Sequence, residues 1–310
     1  MSDGDFPAET SGRRWRFGFW SLIATQFQGA LIENALKFLV IYIALATEGM
    51  RGDRDHLELV VGSLFAIPFL LFSISGGFLA DRFSKRSVTI WTKLFELAVM
   101  ILATVSLVQP NFHLAMAAIF LASTQAALFG PSKYGLLPEI LPPEKLSWGN
   151  GVLELGTFAA IIGGSIGAGF LADTFSGRQF YSGLILVGFS LLGFLFSLGI
   201  TRVPAVAPCK TFRASSLLDL WSPARLIRGD RALYLAVVGN TYFWFLGTLL
   251  QFNIFNYGQD VLHINATHSG FLQAGIGIGI GLGSVAAGYL SAGKIEYGLI
   301  PLGSAGMKIL

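Results

Sequence analysis

Near the start of the chain, four residues combine types and spacing that chemistry could use. Gln26, Ala30, Glu33 and Lys37 follow one another at intervals of four, three and four positions, so on a helix they share one face. Asn34 stands beside Glu33. A carboxylate, an amine and two amides along one stripe suit a ligand that carries both signs of charge. They also suit a structural ion pair between helices. The surrounding run, Phe17–Ala46, is otherwise apolar. A charge at mid-membrane depth costs about 2.5–3.5 kcal/mol on insertion scales, which disfavours a lipid-facing position. Glu33 can offset Lys37 at i,i+4, so the pair is expected to face a wet interior. A purely structural task would be met at lower cost by small residues.

Further charges are rarer and less specific. Lys93 and Glu96 lie one turn apart in Val88–Val108, and Lys93 is close enough to the end of its run to snorkel. Glu154 stands near the start of Val152–Ala172. Lys133 follows Leu114–Gly130 in Phe129-Gly-Pro-Ser-Lys133-Tyr-Gly135, where it could meet an anionic headgroup or serve only to orient the span. Asn240, Gln251, Asn253 and Asn256 offer amides without charge, suited equally to interhelical contacts and to a substrate. The four histidines (His56, His113, His263, His268) show no metal-ligand spacing with a partner. No Walker sequence and no G-x-G-x-x-G is present, and no nucleophile–base pair stands out. No metal, no cofactor and no enzymatic activity are expected.

Length and composition define the elements that must hold these residues. Of 310 residues, 13% are charged and 53% apolar, with 27 Phe and 38 Gly. The charged share is about half that of an ordinary soluble domain, which excludes a disordered or nucleic-acid-binding chain. One cysteine, Cys209, excludes an internal disulfide framework. Spans of about 20 apolar residues occur at Phe17–Ala46, Leu59–Ala80, Val88–Val108, Leu114–Gly130, Val152–Ala172, Phe180–Ile200, Leu233–Phe255 and Gly270–Ala292. A ninth run begins at Leu299. The runs are twice the length of transmembrane strands, so an all-α membrane protein is expected. Of the 21 Lys and Arg, fifteen fall on one side of this arrangement and three (Arg51, Arg54, Arg178) on the other. That asymmetry places the amino terminus in the cytoplasm. Six spans (1–200), a basic cytoplasmic loop (201–230) and further spans (231–310) read as a six-plus-six plan with an incomplete second bundle. On that plan the 310 residues by themselves are expected not to transport. In the loop, Leu217, Leu218, Trp221, Leu226 and Ile227 could form a short interfacial helix.

The chain also repeats itself. Gly77-Phe-Leu-Ala-Asp-Arg-Phe-Ser-Lys-Arg86 recurs as Gly169-Phe-Leu-Ala-Asp-Thr-Phe-Ser-Gly-Arg178, at the ends of the second and fifth spans and so on opposite sides of the membrane. Inverted three-helix repeats are a construction of secondary transporters. Small residues at Ala160, Gly163, Gly164 and Gly167, and at Gly275, Gly279 and Gly283, form stripes for close helix packing.

The first copy, with Gly77, Asp81, Arg82, Ser84, Lys85 and Arg86, resembles the loop 2–3 signature of the major facilitator superfamily. The resemblance implies that superfamily's helical bundle and a gating role for Gly77, Asp81, Arg82, Lys85 and Arg86. Ser84 departs from the usual turn glycine, at some backbone cost. Three further segments resemble the lysophospholipid transporter family: Thr25-Gln-Phe-x-Gly-Ala-x-x-Glu-Asn-Ala-Leu-Lys37, Phe129-Gly-Pro-Ser-Lys-Tyr-Gly-x-Leu-Pro-Glu139 and Leu290-Ser-x-Gly-Lys294-x-Glu296-x-Gly-Leu-x-Pro301-Leu-Gly303. Asn150-Gly-x-x-Glu154 fits as well. The family usually has Asp where this chain has Glu33, a change that keeps the charge. By this resemblance Gln26, Glu33, Asn34, Lys37 and Lys133 would line a pathway for a lysolipid headgroup, with Lys93, Glu96 and Glu154 as secondary candidates. Some members have a cation in the seventh span; this chain has none between Leu233 and Phe255. The implied function is facilitator-type movement of lysophospholipids across the inner membrane for reacylation, with an acyltransferase as partner or fusion. Export of a drug or amphipathic metabolite, and the membrane domain of an acyltransferase fusion, are the alternatives.

Overall fold

A computed structural model describes residues 8–46, 54–109, 111–209, 211, 221–262, 264, 266–290, 298 and 303. The described chain is a series of helices: α1 (Ala8–Ala46), α2 (Arg54–Arg82), α3 (Lys85–Val108), α4 (Phe112–Ile140), α5 (Leu146–Thr174), α6 (Gln179–Leu198), α7 (Trp221–Gly229), α8 (Arg231–Asp260) and α9 (Ala266–Leu290). A short 3-10 turn, Pro143–Lys145, joins α4 to α5. Seven of these helices, α1 to α6 and α8, are long and apolar enough to cross a membrane. The eighth expected span is helical as α9, with Gly277–Leu290 as its described apolar stretch. The ninth run, most of the segment from Leu290 to Gly303, and Leu217, Leu218, Lys210 and Arg213 lie outside the described residues. Trp221, Leu226 and Ile227 do fall on one short helix, α7.

Local chemistry sets several boundaries. Asn111 caps α4 by accepting from the Leu114 N–H at 3.1 Å. Asp230 caps α8 by accepting from the N–H groups of Ala232 and Leu233 at 2.9 and 3.2 Å. The expected end of the fourth span at Gly130 is corrected: α4 runs through Pro131 and Pro138 to Ile140, carrying Lys133 and Tyr134 with it. Proline removes one helical N–H, and in a membrane neighbouring helices re-satisfy what it frees. Pro131 deprives the Ala127 carbonyl of its donor, and Gly76 of α2 closes on that spot. A Cβ at Gly76 would stand 2.8 Å from Ala127 O and 3.1 Å from Leu128 O.

In the first six helices, α1 packs on α5 and α6, α2 on α4, and α3 on α4 and α6. Exchanging α1 with α4, α2 with α5 and α3 with α6 returns the same set of pairs, as an inverted repeat requires. The two parallel pairs also share a device: Gly76 brings α2 against α4, and Gly164 brings α5 against the α1 backbone at Leu31 and Ala35. The glycine stripe expected on the eighth span is corrected. Gly275, Gly279 and Gly283 meet open space, while Gly277 and Gly281 abut Ile162 and Leu155 of α5. Trp244 of α8 stacks on Phe158 at 5.9 Å, but the described side chains of α8 are mostly exposed.

The bundle interior has three layers. One apolar cluster holds Ile32, Leu36, Leu39, Met100, Ile119 and Leu186. The other, toward the α2–α3 loop, holds Phe19, Leu22, Phe129, Leu136, Leu137 and Leu153. Between them lies a polar layer that includes Thr25, Gln26, Gln28, Ser123, Thr124, Gln125 and Thr157, all buried.

Candidate functional site

The polar layer contains two arrangements of different character. In the first, every buried group has a partner. Lys93 Nζ donates to Glu96 Oε2 at 2.7 Å and to Gln28 Oε1 at 3.1 Å. Gln28 Nε2 donates to Glu96 Oε1 at 3.1 Å, and the Ser190 hydroxyl reaches the same oxygen at 3.4 Å. The ring of Phe129 lies 5.4 Å from the ammonium. Lys93 is fully buried and does not snorkel. Its charge is matched and hydrogen-bonded, as burial demands. This network ties α1, α3 and α6 together. Gln28 and Ser190 were not among the residues expected here; the amide two positions after Gln26 was the available signal.

The second arrangement follows the stripe on α1 and is less complete. Glu33 and Lys37 do not form the expected ion pair. Lys37 Nζ donates instead to Asn34 Oδ1 at 3.0 Å and sits over the rings of Phe38 and Phe65, at 4.7 and 4.6 Å. Asn34 Nδ2 in turn donates to Ala30 O at 2.9 Å. Its amide and the two rings hold the ammonium where the carboxylate was expected to. Glu33 Oε1 is buried without a hydrogen-bond partner. Lys37, Lys133, Lys93 and Glu96 all lie within electrostatic reach of Glu33. Lys133 also feels Glu154, whose carboxylate accepts from Tyr134 Oη at 3.0 Å. Gln26 is taken up by packing, since its Nε2 donates to Thr157 Oγ1 at 3.1 Å across α1 and α5.

The residues at the α2–α3 loop stand apart from both arrangements. Lys85 forms an ion pair with Glu139 at the end of α4. Arg86 donates from Nε to Ile200 O at 2.7 Å and from Nη2 to Leu198 O at 2.8 Å, placing a cation at the carboxyl end of α6. Arg82 lies over the rings of Phe78 and Phe83, at 5.8 and 5.5 Å. The Asp81 carbonyl accepts from the Ala207 N–H at 2.8 Å. Gly77 meets open space. Ser84 needs no glycine-like backbone: its φ is −55°, and its hydroxyl donates to Val203 O at 2.7 Å. In the second copy of the repeat the turn does use the left-handed region, at Gly177 with φ 74°. Replacing Arg86 with Lys should cost about 1–2 kcal/mol, because a single ammonium cannot hold both carbonyls. Thermal unfolding in detergent would register it, and an unchanged midpoint would contradict it.

Among the described residues no group of His, Cys, Asp and Glu is arranged to hold a metal ion. What the site offers is a buried acceptor, two amines and amide groups at the junction of two inverted repeats within a membrane bundle. That is the architecture of a secondary transporter.

Residues 27–309 match the family model of the Major Facilitator Superfamily, and the chain belongs to that superfamily. It is a multi-pass membrane protein. Its relatives include the lysophospholipid transporter LplT of Photorhabdus laumondii, 27% identical over 289 residues, covering 92% of this chain and 69% of that protein. The protein of the same name from Salmonella gallinarum is 29% identical over 281 residues, covering 89% of this chain and 66% of the other. The chain thus spans about two thirds of the length of these relatives. Among solved structures, a mutant of the peptide transporter POT with bound sulfate aligns at TM-score 0.50 and 17% identity, covering 77% of this chain and 52% of that one. A POT family transporter with a thioalcohol-conjugated peptide aligns at TM-score 0.50 and 16% identity, covering 78% and 50%. These likenesses concern the fold.

Proposed function

We propose that the protein is a facilitator-type transporter that moves lysophospholipids across the bacterial inner membrane, with its amino terminus in the cytoplasm. Residues 1–200 form the first bundle, 201–230 the central cytoplasmic loop, and 231–310 belong to the second bundle. The observation that carries this reading is the unpartnered buried oxygen of Glu33, set among Asn34, Lys37 and Lys133 in a span that would otherwise be sealed. Leaving a buried acceptor unsatisfied costs about 1–3 kcal/mol, and a cationic headgroup entering the site would relieve it. The names of the relatives supply the ligand class; the site supplies chemistry that fits it. A lysolipid delivered to the inner leaflet would be consumed by an acyl-transfer reaction, so an acyltransferase is the partner this reading proposes.

Gating by Gly77, Asp81, Arg82, Lys85 and Arg86, and headgroup contact by Gln26, Glu33, Asn34, Lys37 and Lys133, belong to the same proposal. The test is translocation of a labelled lysophosphatidylethanolamine by the full-length protein in vesicles. Wild-type protein should translocate it, and the Glu33→Ala variant should lose at least about tenfold in rate, the equivalent of one charge-assisted contact. Equal rates would remove Glu33 from the pathway.

A further inference from the structure

Glu33 is not the only residue in the polar layer with an unmatched atom. Among the described residues, the buried side-chain atoms without a hydrogen-bond partner are Glu33 Oε1, Gln125 Nε2 and the hydroxyls of Ser123 and Ser132. The first is an acceptor on α1 and the second a donor on α4. Gln125 is 5% exposed, so water does not readily satisfy it.

The repeat relates these two residues. Ala30-Leu-Ile-Glu33-Asn-Ala35-Leu36 aligns with Ala122-Ser-Thr-Gln125-Ala-Ala127-Leu128, at the same spacing by which Gly169 follows Gly77. The helix pairs of the bundle are unchanged by exchanging α1 with α4, so Glu33 and Gln125 occupy equivalent places in the two repeats.

Their depths agree as well. Gly29 backs directly on Lys93 Nζ, and Phe129 lies over the same ammonium. Helices α1 and α4 are antiparallel: the start of α1 and the end of α4 share one apolar cluster, and their other ends share the second. Glu33 is one turn after Gly29, and Gln125 is one turn before Phe129. From the level of the Lys93 ammonium, both therefore follow their helices toward the same apolar cluster. Residues related by a two-fold axis in the membrane plane lie at equal depth when both are near the midplane, where substrate sites of such transporters form.

We infer that Gln125 is the donor pole of a two-pole headgroup site, its amide N–H taking a phosphate oxygen while Glu33 takes the ammonium of the same zwitterion. The inference rests on the lysolipid reading above and adds to it a residue and a division of labour. A neutral amide suits the phosphate end, since it donates without fixing a positive charge in the layer. Ser132 lies seven positions along α4, on the same face as Gln125, and adds a second unmatched polar atom on that stripe. Lys133 follows it within electrostatic reach of Glu33.

The experiment is competitive binding to the full-length protein in nanodiscs, with labelled lysophosphatidylethanolamine as the probe. Three unlabelled competitors separate the poles: lysophosphatidylethanolamine, lysophosphatidylglycerol (phosphate without amine) and a long-chain alkylamine (amine without phosphate). Gln125→Met should weaken both phosphate ligands by about tenfold and leave the alkylamine unchanged. Gln125→Glu should weaken the phosphate ligands further and strengthen the alkylamine, a gain that misfolding could not produce. Glu33→Gln should do the converse of Gln125→Met, weakening the two amines and sparing lysophosphatidylglycerol. Two results would overturn the inference while leaving the lysolipid reading intact. One is unchanged phosphate binding in both Gln125 variants. The other is equal weakening of all three ligands with a lowered melting temperature, which would make Gln125 a clasp between the repeats. No lysolipid binding by the wild-type protein would overturn both.

Discussion

Replacing Lys93 by methionine is expected to lower stability by about 3–5 kcal/mol, the usual cost of removing one partner of a buried ion pair. The substitution leaves the Glu96 carboxyl, 3% exposed, without its cation, and with Gln28 Nε2 and the Ser190 hydroxyl as its remaining donors. Gln28 Oε1 loses its donor at the same time. The penalty is therefore chiefly the desolvated carboxylate rather than missing contact area, since methionine fills most of the space. A second variant tests that division. Lys93→Met combined with Glu96→Gln removes both charges and keeps an amide facing Gln28 and Ser190, and it should recover more than half of the loss. Chemical or thermal unfolding in one detergent, read for wild type, both single variants and the pair, gives the coupling directly. If the pair is as unstable as Lys93→Met alone, side-chain shape rather than charge holds α1, α3 and α6 together.

The other large effect is expected at Gly164. A Cβ there would press on the Leu31 carbonyl and stand 3.1 Å from both Ala35 N and Asn34 Cβ. Those obstacles are mostly backbone, which cannot rotate aside, so α5 and α1 must separate. Gly164→Ala should cost about 1–3 kcal/mol, the range for overpacked interiors. Because the separation occurs beside Glu33 and Asn34, the headgroup binding proposed for them should fall together with stability. Gly167→Ala is the control on the same helix: nothing lies within 4 Å of its would-be Cβ. It should be neutral or gain up to about 1 kcal/mol from helix propensity. Melting temperatures of the two variants decide the matter, and equal values would show that the α1–α5 seam tolerates a methyl group.

The spans were legible because lipid demands about 20 apolar residues per crossing, a signal that tertiary context hardly alters. The end of α4 was not, because Pro131 and Pro138 signal termination in water. Here Pro131 frees the Ala127 carbonyl where Gly76 lets α2 approach, and the helix continues. The repeat between Gly77 and Gly169 could be read directly, but its weaker continuation from Ala30 to Ala122 became meaningful only once the helix pairing was known. Glu33, Asn34 and Lys37 were visible as charged and amide groups inside an apolar run. Which of them pair was not, since i,i+4 spacing permits an ion pair without requiring one. Two aromatic rings on different helices outcompete the carboxylate for Lys37. Gln125 carries no charge, so nothing in composition separated it from ordinary packing amides, and for Gln28 only its place two positions after Gln26 did.

The loop between α2 and α3 is joined to its surroundings at several points: Ser84 and Arg86 to the end of α6 and the strand of chain after it, Lys85 to α4, and Asp81 to Ala207. Connections of this kind act as rivets. They forbid α2 and α3 from sliding independently of α4 and α6, so a push on the tip of the loop is delivered to the far side of the bundle without being absorbed by bending. On the two-bundle plan proposed above, the first six helices would then move as one lever arm against the second bundle, with a stroke set by the length of the helices rather than by the softness of their joints.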